Sequence, residues 1–316
     1  MRYVLHRLAQ SVVVLFGVTV VVFLIVHLVP GDPIRIGMCT RFDPEIYEAL
    51  RRASGLDRPP LEQYVSYVGR AVTGDLGVSF RSGQPVTHLL VARLPATVSL
   101  AVVGILIALL VSFPLGIISA VRNGGAVDSI VRAVSQLGVS LPNFWLGMLL
   151  ILLFSSTLGW LPPSGYTPIT EDPVEWAKRV IMPGITVGVV AGSILTRYVR
   201  SSVLETLSMD HVRTANSKGL PRRLVLSRHV VRNALVPVIT VTGTQIAAIL
   251  GGVIVVEVVF AWPGLGLLVY DAVRARDYPL LQGAVLLIAV IFLLVNLVVD
   301  LLYAKVDPRI QLGGDP

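Results

Sequence analysis

Residues 97–121 read TVSLAVVGILIALLVSFPLGIISAV, a run without one charged side chain. A helix needs about 20 apolar residues to cross the hydrocarbon core of a bilayer. Inside lipid the backbone must satisfy its own hydrogen bonds, so this stretch predicts a membrane-spanning helix. Working outward, five further stretches have the same character: 12–29, 134–158, 180–196, 235–256 and 280–299. Composition agrees. Of 316 residues, 54% are hydrophobic and 14% charged, where a soluble domain carries about 25% charged residues. The expectation is an all-α integral membrane protein with six transmembrane helices. A disordered tail protein, a secreted disulfide scaffold and an ordinary cytosolic enzyme are excluded. The first span follows Arg2 and Arg7, as a signal peptide would. It ends, however, in Val29-Pro30-Gly31-Asp32-Pro33 rather than in a small-x-small cleavage site, and is expected to be a retained anchor.

Short connections set the orientation. Arg2 and Arg7 precede the first span, and Arg122 and Arg132 lie between the second and third. Arg197, Arg200, Arg213, Lys218, Arg222, Arg223, Arg228 and Arg232 crowd the connection between the fourth and fifth, and Lys305 and Arg309 follow the sixth. If the spans alternate, all of these share one side. That side holds fourteen Lys and Arg against six Asp and Glu; the other holds twelve against thirteen. Lys and Arg collect in cytoplasmic loops, so both termini are expected in the cytoplasm of a cell (plasma or inner) membrane. The same bias accounts for the net charge of +7 without a nucleic-acid partner. The long segment 30–95 then lies outside; its arginines do not oppose the assignment, because long loops cross largely regardless of charge. Within it, 44–56 and 61–72 have helical spacing, and Gly74, Gly77 and Gly83 act as breakers. This predicts a small cap on the outer face.

Small residues recur every four positions in two spans: Gly184, Gly188 and Gly192, then Gly243, Ala247 and Gly251. Such stripes let helices approach closely in lipid. They fit either packing within one bundle or a subunit interface and pore wall. Polar groups in the spans are few. Gln136, Asn143, Gln245 and Asn296 are uncharged, while His27, Glu257 and Asp300 are placed near span ends, where water relieves the cost. A charge at mid-helix costs roughly 2.5–3.5 kcal/mol on insertion scales. Without an acidic relay or an arginine ladder, a proton-coupled carrier or voltage sensor is disfavoured. Asn143 and Gln245 either bond helix to helix or line a substrate path, and are the candidate path residues.

No catalytic residues are expected. The single cysteine, Cys39, allows no internal disulfide and is expected to be an incidental thiol in a variable loop. His6, His27, His88, His211 and His229 form no pair with metal-ligand spacing, so no metal site is expected. Neither GxSxG nor a phosphate-binding loop occurs, and no cofactor is called for. If ATP energises transport, a partner must supply its site.

The connection 197–234 is too long and too patterned for a mere link. Asp210 is expected to cap a short helix, its carboxylate accepting first-turn N–H groups. Lys218 suits the last turn, Gly219 a left-handed position beyond it, and Pro221 prevents continuation. Val212, Ala215 and Gly219 fall on one side as a narrow ridge. A ridge of this kind fits a groove on another protein. The alternative is a helix lying at membrane lipid headgroups, given Arg222, Arg223, Arg228 and Arg232 close by.

Here the chain resembles the integral-membrane permease subunits of bacterial and archaeal ATP-binding-cassette importers, in the dipeptide/oligopeptide/nickel branch, and the first of that branch's two permeases in particular. Arg213-Thr214-Ala215-x-x-Lys218-Gly219 occupies the place of the superfamily's EAA loop, whose core is Glu-Ala-Ala-x-x-x-Gly. The match continues through Arg232-Asn233-Ala234-Leu235-Val236-Pro237. Gly74-Asp75-Leu76-Gly77, Pro142-Asn143-Phe144-Trp145, Gly159-Trp160-Leu161-Pro162, Trp262-Pro263-Gly264-Leu265-Gly266, Arg276-Asp277-Tyr278-Pro279 and Asp307-Pro308-Arg309 are similar too, in order along almost the whole chain.

The resemblance implies a type I importer permease (MetI-like) core with an extra N-terminal helix and an extracytoplasmic segment. The divisions are 1–95 for anchor and outer segment, 96–305 for the core with a coupling loop at 201–235, and 306–316 for a cytoplasmic tail. It implies as partners a second homologous permease subunit, two cytoplasmic ATP-binding subunits and an extracytoplasmic solute-binding protein. Coupling to the ATPases is then assigned to Asp210, Val212, Arg213, Thr214, Ala215, Lys218 and Gly219. Peptide is the leading cargo; glutathione, oligosaccharide and nickel are alternatives, nickel ranked low because the spans hold few His, Cys or Met. A stand-alone carrier is the reading from a different class. The sequence departs from the wider pattern where Arg213 and Thr214 replace Glu and the first Ala, a departure that resembles the peptide branch as a whole.

Overall fold

The computed structural model describes residues 2–28, 44–54 and 58–306. Val29-Pro30-Gly31-Asp32-Pro33, Cys39, Asp307-Pro308-Arg309 and the tail lie outside the described residues. All the regular elements described are helical. They are α1 Arg2–Leu28, α2 Pro44–Ser54, α3 Pro60–Val72, α4 Val86–Val121, α5 Ala126–Ser140 and α6 Asn143–Leu150, which runs on as a π-helical segment Ile151–Thr157. There follow α7 Pro173–Ser208, α8 Asp210–Ser217, α9 Arg222–Leu224 with a π-helical continuation Val225–Val231, α10 Arg232–Val259, α11 Leu265–Ala275 and α12 Tyr278–Val306.

Each expected span has a helix, but the helices are not alike. Among the described residues, Val86–Val121, Pro173–Ser208 and Tyr278–Leu301 are long and apolar enough to cross a membrane. In α1 the apolar stretch is the shorter Ala9–Ile25. The third span, expected as one helix over 134–158, is instead broken: α5 and the Asn143–Thr157 helix meet at 106°. Pro142 causes the break, since the residue before a proline is driven out of helical geometry; Leu141 and Pro142 both take extended backbone, with ψ of 127° and 135°. A gentler bend of 43° falls between Leu235 and Pro237 at the start of the fifth.

The described residues form two compact units, those within 1–97 and 263–294 and those within 98–262 and 295–316. In the first, α3 rests on α1 through a hydrogen bond of 2.9 Å between the Thr19 and Tyr64 hydroxyls and through the Tyr64 ring, edge-on to Phe23 at 5.3 Å. Gly77 takes a left-handed backbone (φ 82°), which only glycine adopts readily, and its N–H is received by Asp75 Oδ1 at 3.0 Å. That turn delivers Leu76 to an apolar cluster of Val86, Leu90, Leu265, Ala272, Leu280 and Ala284. Asp277 opens α12. It is 2% exposed and accepts from Ser79 Oγ at 2.5 Å, Phe80 N at 3.2 Å and Leu280 N at 3.4 Å, fastening the turn at 79–82 to the helix start.

In the second unit α7 is the central post. Asp172 caps it, accepting from Val174 N and Glu175 N at 2.9 and 3.0 Å, with Pro173 in the first turn. Its small-residue stripe packs on α4. A Cβ on Gly188 would stand 2.8 Å from the Gly104 carbonyl oxygen, and one on Gly184 2.6 Å from Val103. The stripe in α7 therefore serves packing within the chain. The α10 stripe divides: Gly243 lies tight against Val299 of α12, whereas a Cβ on Gly251 would meet nothing within 4 Å. Glu257, expected to reach water at a span end, is fully buried and engaged within the chain. The aromatic Trp262 after α10 is fully buried, with Tyr166 edge-on at 4.8 Å.

Candidate functional site

Helix α8 is eight residues long, too short to hold itself together. Its ends and its seat make it persist. Met209, with extended backbone, occupies the N-cap. Asp210, expected in that position, is instead the first helical residue, its side chain 97% exposed and 3.8 Å from Arg213. There it still places a negative charge at the positive end of the helix dipole. At the other end Gly219 takes the left-handed conformation expected of it, φ 71°. The Gly219 N–H reaches Asn216 O at 3.0 Å and the Leu220 N–H reaches Ala215 O at 3.4 Å. These are the two bonds of a Schellman ending, and Leu220 packs beside the same cluster as Ala215. Pro221 then starts the next helical run.

The expected ridge does not face outward. Val212 and Ala215 are 2% and 5% exposed, buried among Val199 and Val203 of α7, Val225 and Val230 of the π-helical turn, and Ala234 and Val238 of α10. The i→i+5 ladder of that turn brings Val225 and Val230 onto one face. Exposed are Asp210, Arg213, Thr214, Lys218 and Gly219. Helix α8 thus turns a charged and hydroxylated face outward from an apolar seat built by the ends of several helices. Asn233 Nδ2 adds a link from α10, donating to His229 O at 2.8 Å and lying 3.2 Å from His211 Nε2 of α8. Ser202 Oγ joins α7 to α10 by donating to Ala234 O at 2.7 Å.

Two residues that chain position alone did not single out complete this region. Arg200 of α7 grips Asp128 of α5 with both carboxylate oxygens engaged, Nε to Oδ1 at 2.7 Å and Nη2 to Oδ2 at 2.9 Å. Asp128 is 1% exposed and also accepts from Ser119 Oγ at 2.6 Å and from Gly124 N at 3.0 Å. The only sequence signal was that Asp128 is a lone acid among arginines in its connection.

The candidate path residues lie on two helices, Asn143 on α6 and Gln245 on α10. Asn143 opens α6 at the 106° break, its amide nitrogen 3.3 Å from where a Gly252 Cβ would stand. Gln245 lies seven residues before Gly252 on α10, a spacing that returns to the same face. Among the described residues no group of three or more His, Cys, Asp or Glu is disposed to hold a metal ion.

Known proteins agree with this architecture. An oligopeptide transport system permease protein AppB of Bacillus subtilis (strain 168) is 40% identical over 316 residues, covering 98% of this chain and 99% of the relative. A glutathione transport system permease protein GsiC of Escherichia coli (strain K12) is 40% identical over 311 residues, with coverage of 98% and 99%. A crystal structure of an amino acid ABC transporter with histidines shares the fold, at a TM-score of 0.51 and 14% identity over 71% of this chain and 95% of that one. Residues 1–101 match the N-terminal model of binding-protein-dependent transport system membrane components. With residues 112–312 matching the main model as well, the chain belongs to the family of binding-protein-dependent transport system inner membrane components.

Proposed function

We propose that this chain is the permease subunit of an ATP-driven importer of di- and oligopeptides, forming half of the translocation path beside a second homologous permease. The observation that carries the reading is α8, a helix with a Schellman C-terminal cap that presents Asp210, Arg213, Thr214 and Lys218 outward while Val212 and Ala215 anchor it to the ends of the long helices. A rigid helix so seated can receive a push from a partner and pass it to the helices beneath. Two cytoplasmic ATP-binding subunits would dock on its outer face, and an extracytoplasmic solute-binding protein would deliver cargo to the opposite side. Both termini are then cytoplasmic. Residues 1–95 serve as anchor and outer cap, and 96–305 as the permease core with its coupling loop at 201–235. Asn143 at the start of α6, beside Gly252 of α10, and Gln245 on α10 are the candidate path residues. The chain itself is assigned no catalysis; ATP is hydrolysed in the partners.

Peptide cargo is supported by the name of the Bacillus relative. A second reading, glutathione, is supported by the name of the Escherichia relative at the same identity. Mild purification from the native membrane followed by mass spectrometry tests the assembly: a second permease and ATPases should accompany the chain. Gly219→Asp tests the coupling role. A Cβ at Gly219 meets no atom of the chain, so the expected damage is a strained φ and a new negative charge on the outward face. Uptake should be lost while the protein still inserts. Normal uptake by a well-expressed Gly219→Asp protein, or purification of the chain free of any ATPase under crosslinking, would count against the reading.

A further inference from the structure

We infer that Asp128 and Arg200 are positioning residues that join the turn between α4 and α5 to the seat of α8, so that motion imposed on α8 reaches α4 and α5 as well as α7 and α10. The inference rests on the coupling role proposed for α8.

One turn of α7 holds all the connections. Val199 and Val203, each 1% exposed, form part of the apolar seat for Val212 and Ala215. Ser202 holds α10 at Ala234. Arg200, between them, points to the opposite connection and takes Asp128 in a two-point grip. Its Nη2 also donates to Asn123 Oδ1 at 2.9 Å. Ser119 in the last turn of α4 and the Gly124 N–H bind the same carboxylate. The end of α4, the turn and the start of α5 are therefore fixed to one side chain of α7. A planar guanidinium engaging both oxygens fixes direction as well as distance, which an ammonium cannot do. The carboxylate is 1% exposed, so water does not readily replace a lost partner. Arg132, 3.7 Å from Oδ2 and 57% exposed, approaches from the rim and cannot substitute for that grip.

The test is Arg200→Lys and Asp128→Asn in the complete importer, reconstituted in proteoliposomes with its ATPases. Lysine keeps the charge and loses the two-point geometry; asparagine keeps the shape and loses the charge. Assembly and ATP hydrolysis should persist, while solute taken up per ATP hydrolysed falls by roughly fivefold or more, a coupling change of the usual size. The double variant should be no worse than the more affected single one, because the pair acts as a unit. Uptake and hydrolysis falling in parallel would reduce the pair to a folding contact and overturn the inference, as would an unchanged ratio in both variants. Crosslinks from Lys218 to the ATPase, mapped in the unaltered complex, separate the two levels. Their absence would defeat the coupling role of α8, whereas their presence beside an unchanged ratio would defeat only the role of Asp128 and Arg200.

Discussion

Val212→Ala provides a direct measure of what holds α8 in place. Val212 is 2% exposed and its methyl groups lie in the cluster formed by α7, the π-helical turn and α10. The substitution removes two buried carbons at about 0.8 kcal/mol each, roughly 1.6 kcal/mol before any term for the cavity left behind. With about 1.4 kcal/mol per factor of ten, the closed state of α8 should be about 15-fold less favoured. An eight-residue helix has no stability of its own to compensate. Hydrogen exchange of the solubilised chain, followed by mass spectrometry, should show peptides covering 211–219 exchanging about 15-fold faster or more, with α7 and α10 little changed. Arg213→Ala is the comparison: that side chain is 74% exposed and its ion pair is with Asp210, itself 97% exposed, so exchange should hardly move. Unchanged exchange in Val212→Ala, or acceleration spread evenly over α7, α8 and α10, would refute the reasoning that side-chain burial seats α8 locally.

Gly188→Val should lower the melting temperature of the purified chain by several degrees. Its Cβ would stand 2.8 Å from the Gly104 carbonyl oxygen and 2.9 Å from Ile107, so α4 and α7 must separate at a cost of about 1–3 kcal/mol. Gly251→Val, with open space around it, should leave that temperature unchanged; equal effects would contradict the assignment of the α7 stripe to internal packing. Asp277→Ala leaves the buried N–H of Phe80 without its acceptor, a loss of about 1–3 kcal/mol. The turn at 79–82 should loosen, and limited trypsin digestion should cut faster after Arg81; an unchanged rate would mean that Asp277 does not fasten the turn.

Much of this architecture is legible before any coordinates. Hydrophobic runs of about 20 residues locate the long helices, because lipid permits few other structures there. Helices expected at 44–56 and 61–72 appear as Pro44–Ser54 and Pro60–Val72. Local chemistry also predicts the end of α8, since Gly219 suits a left-handed position wherever a helix must stop before Pro221. Local rules misplaced the start. Asp210 has the side chain of an N-cap, but Met209 holds that position, where the chain leaves α7.

What sequence alone determined about this protein is therefore its class, the rough places of its helices and the existence of a capped helix near 210–219. Those properties depend on short-range periodicity and on single-residue conformational preference. Only the tertiary structure decided which way α8 faces, that the third span breaks at 106°, that the α7 glycines serve internal packing, and that Asp128 meets Arg200 seventy-two positions away. A helical wheel places Val212 and Ala215 on one side but does not say whether a partner or the chain's own helices cover that side. The face turned inward is set by the apolar surface that α7, the π-helical turn and α10 offer together, and no stretch of sequence contains that surface.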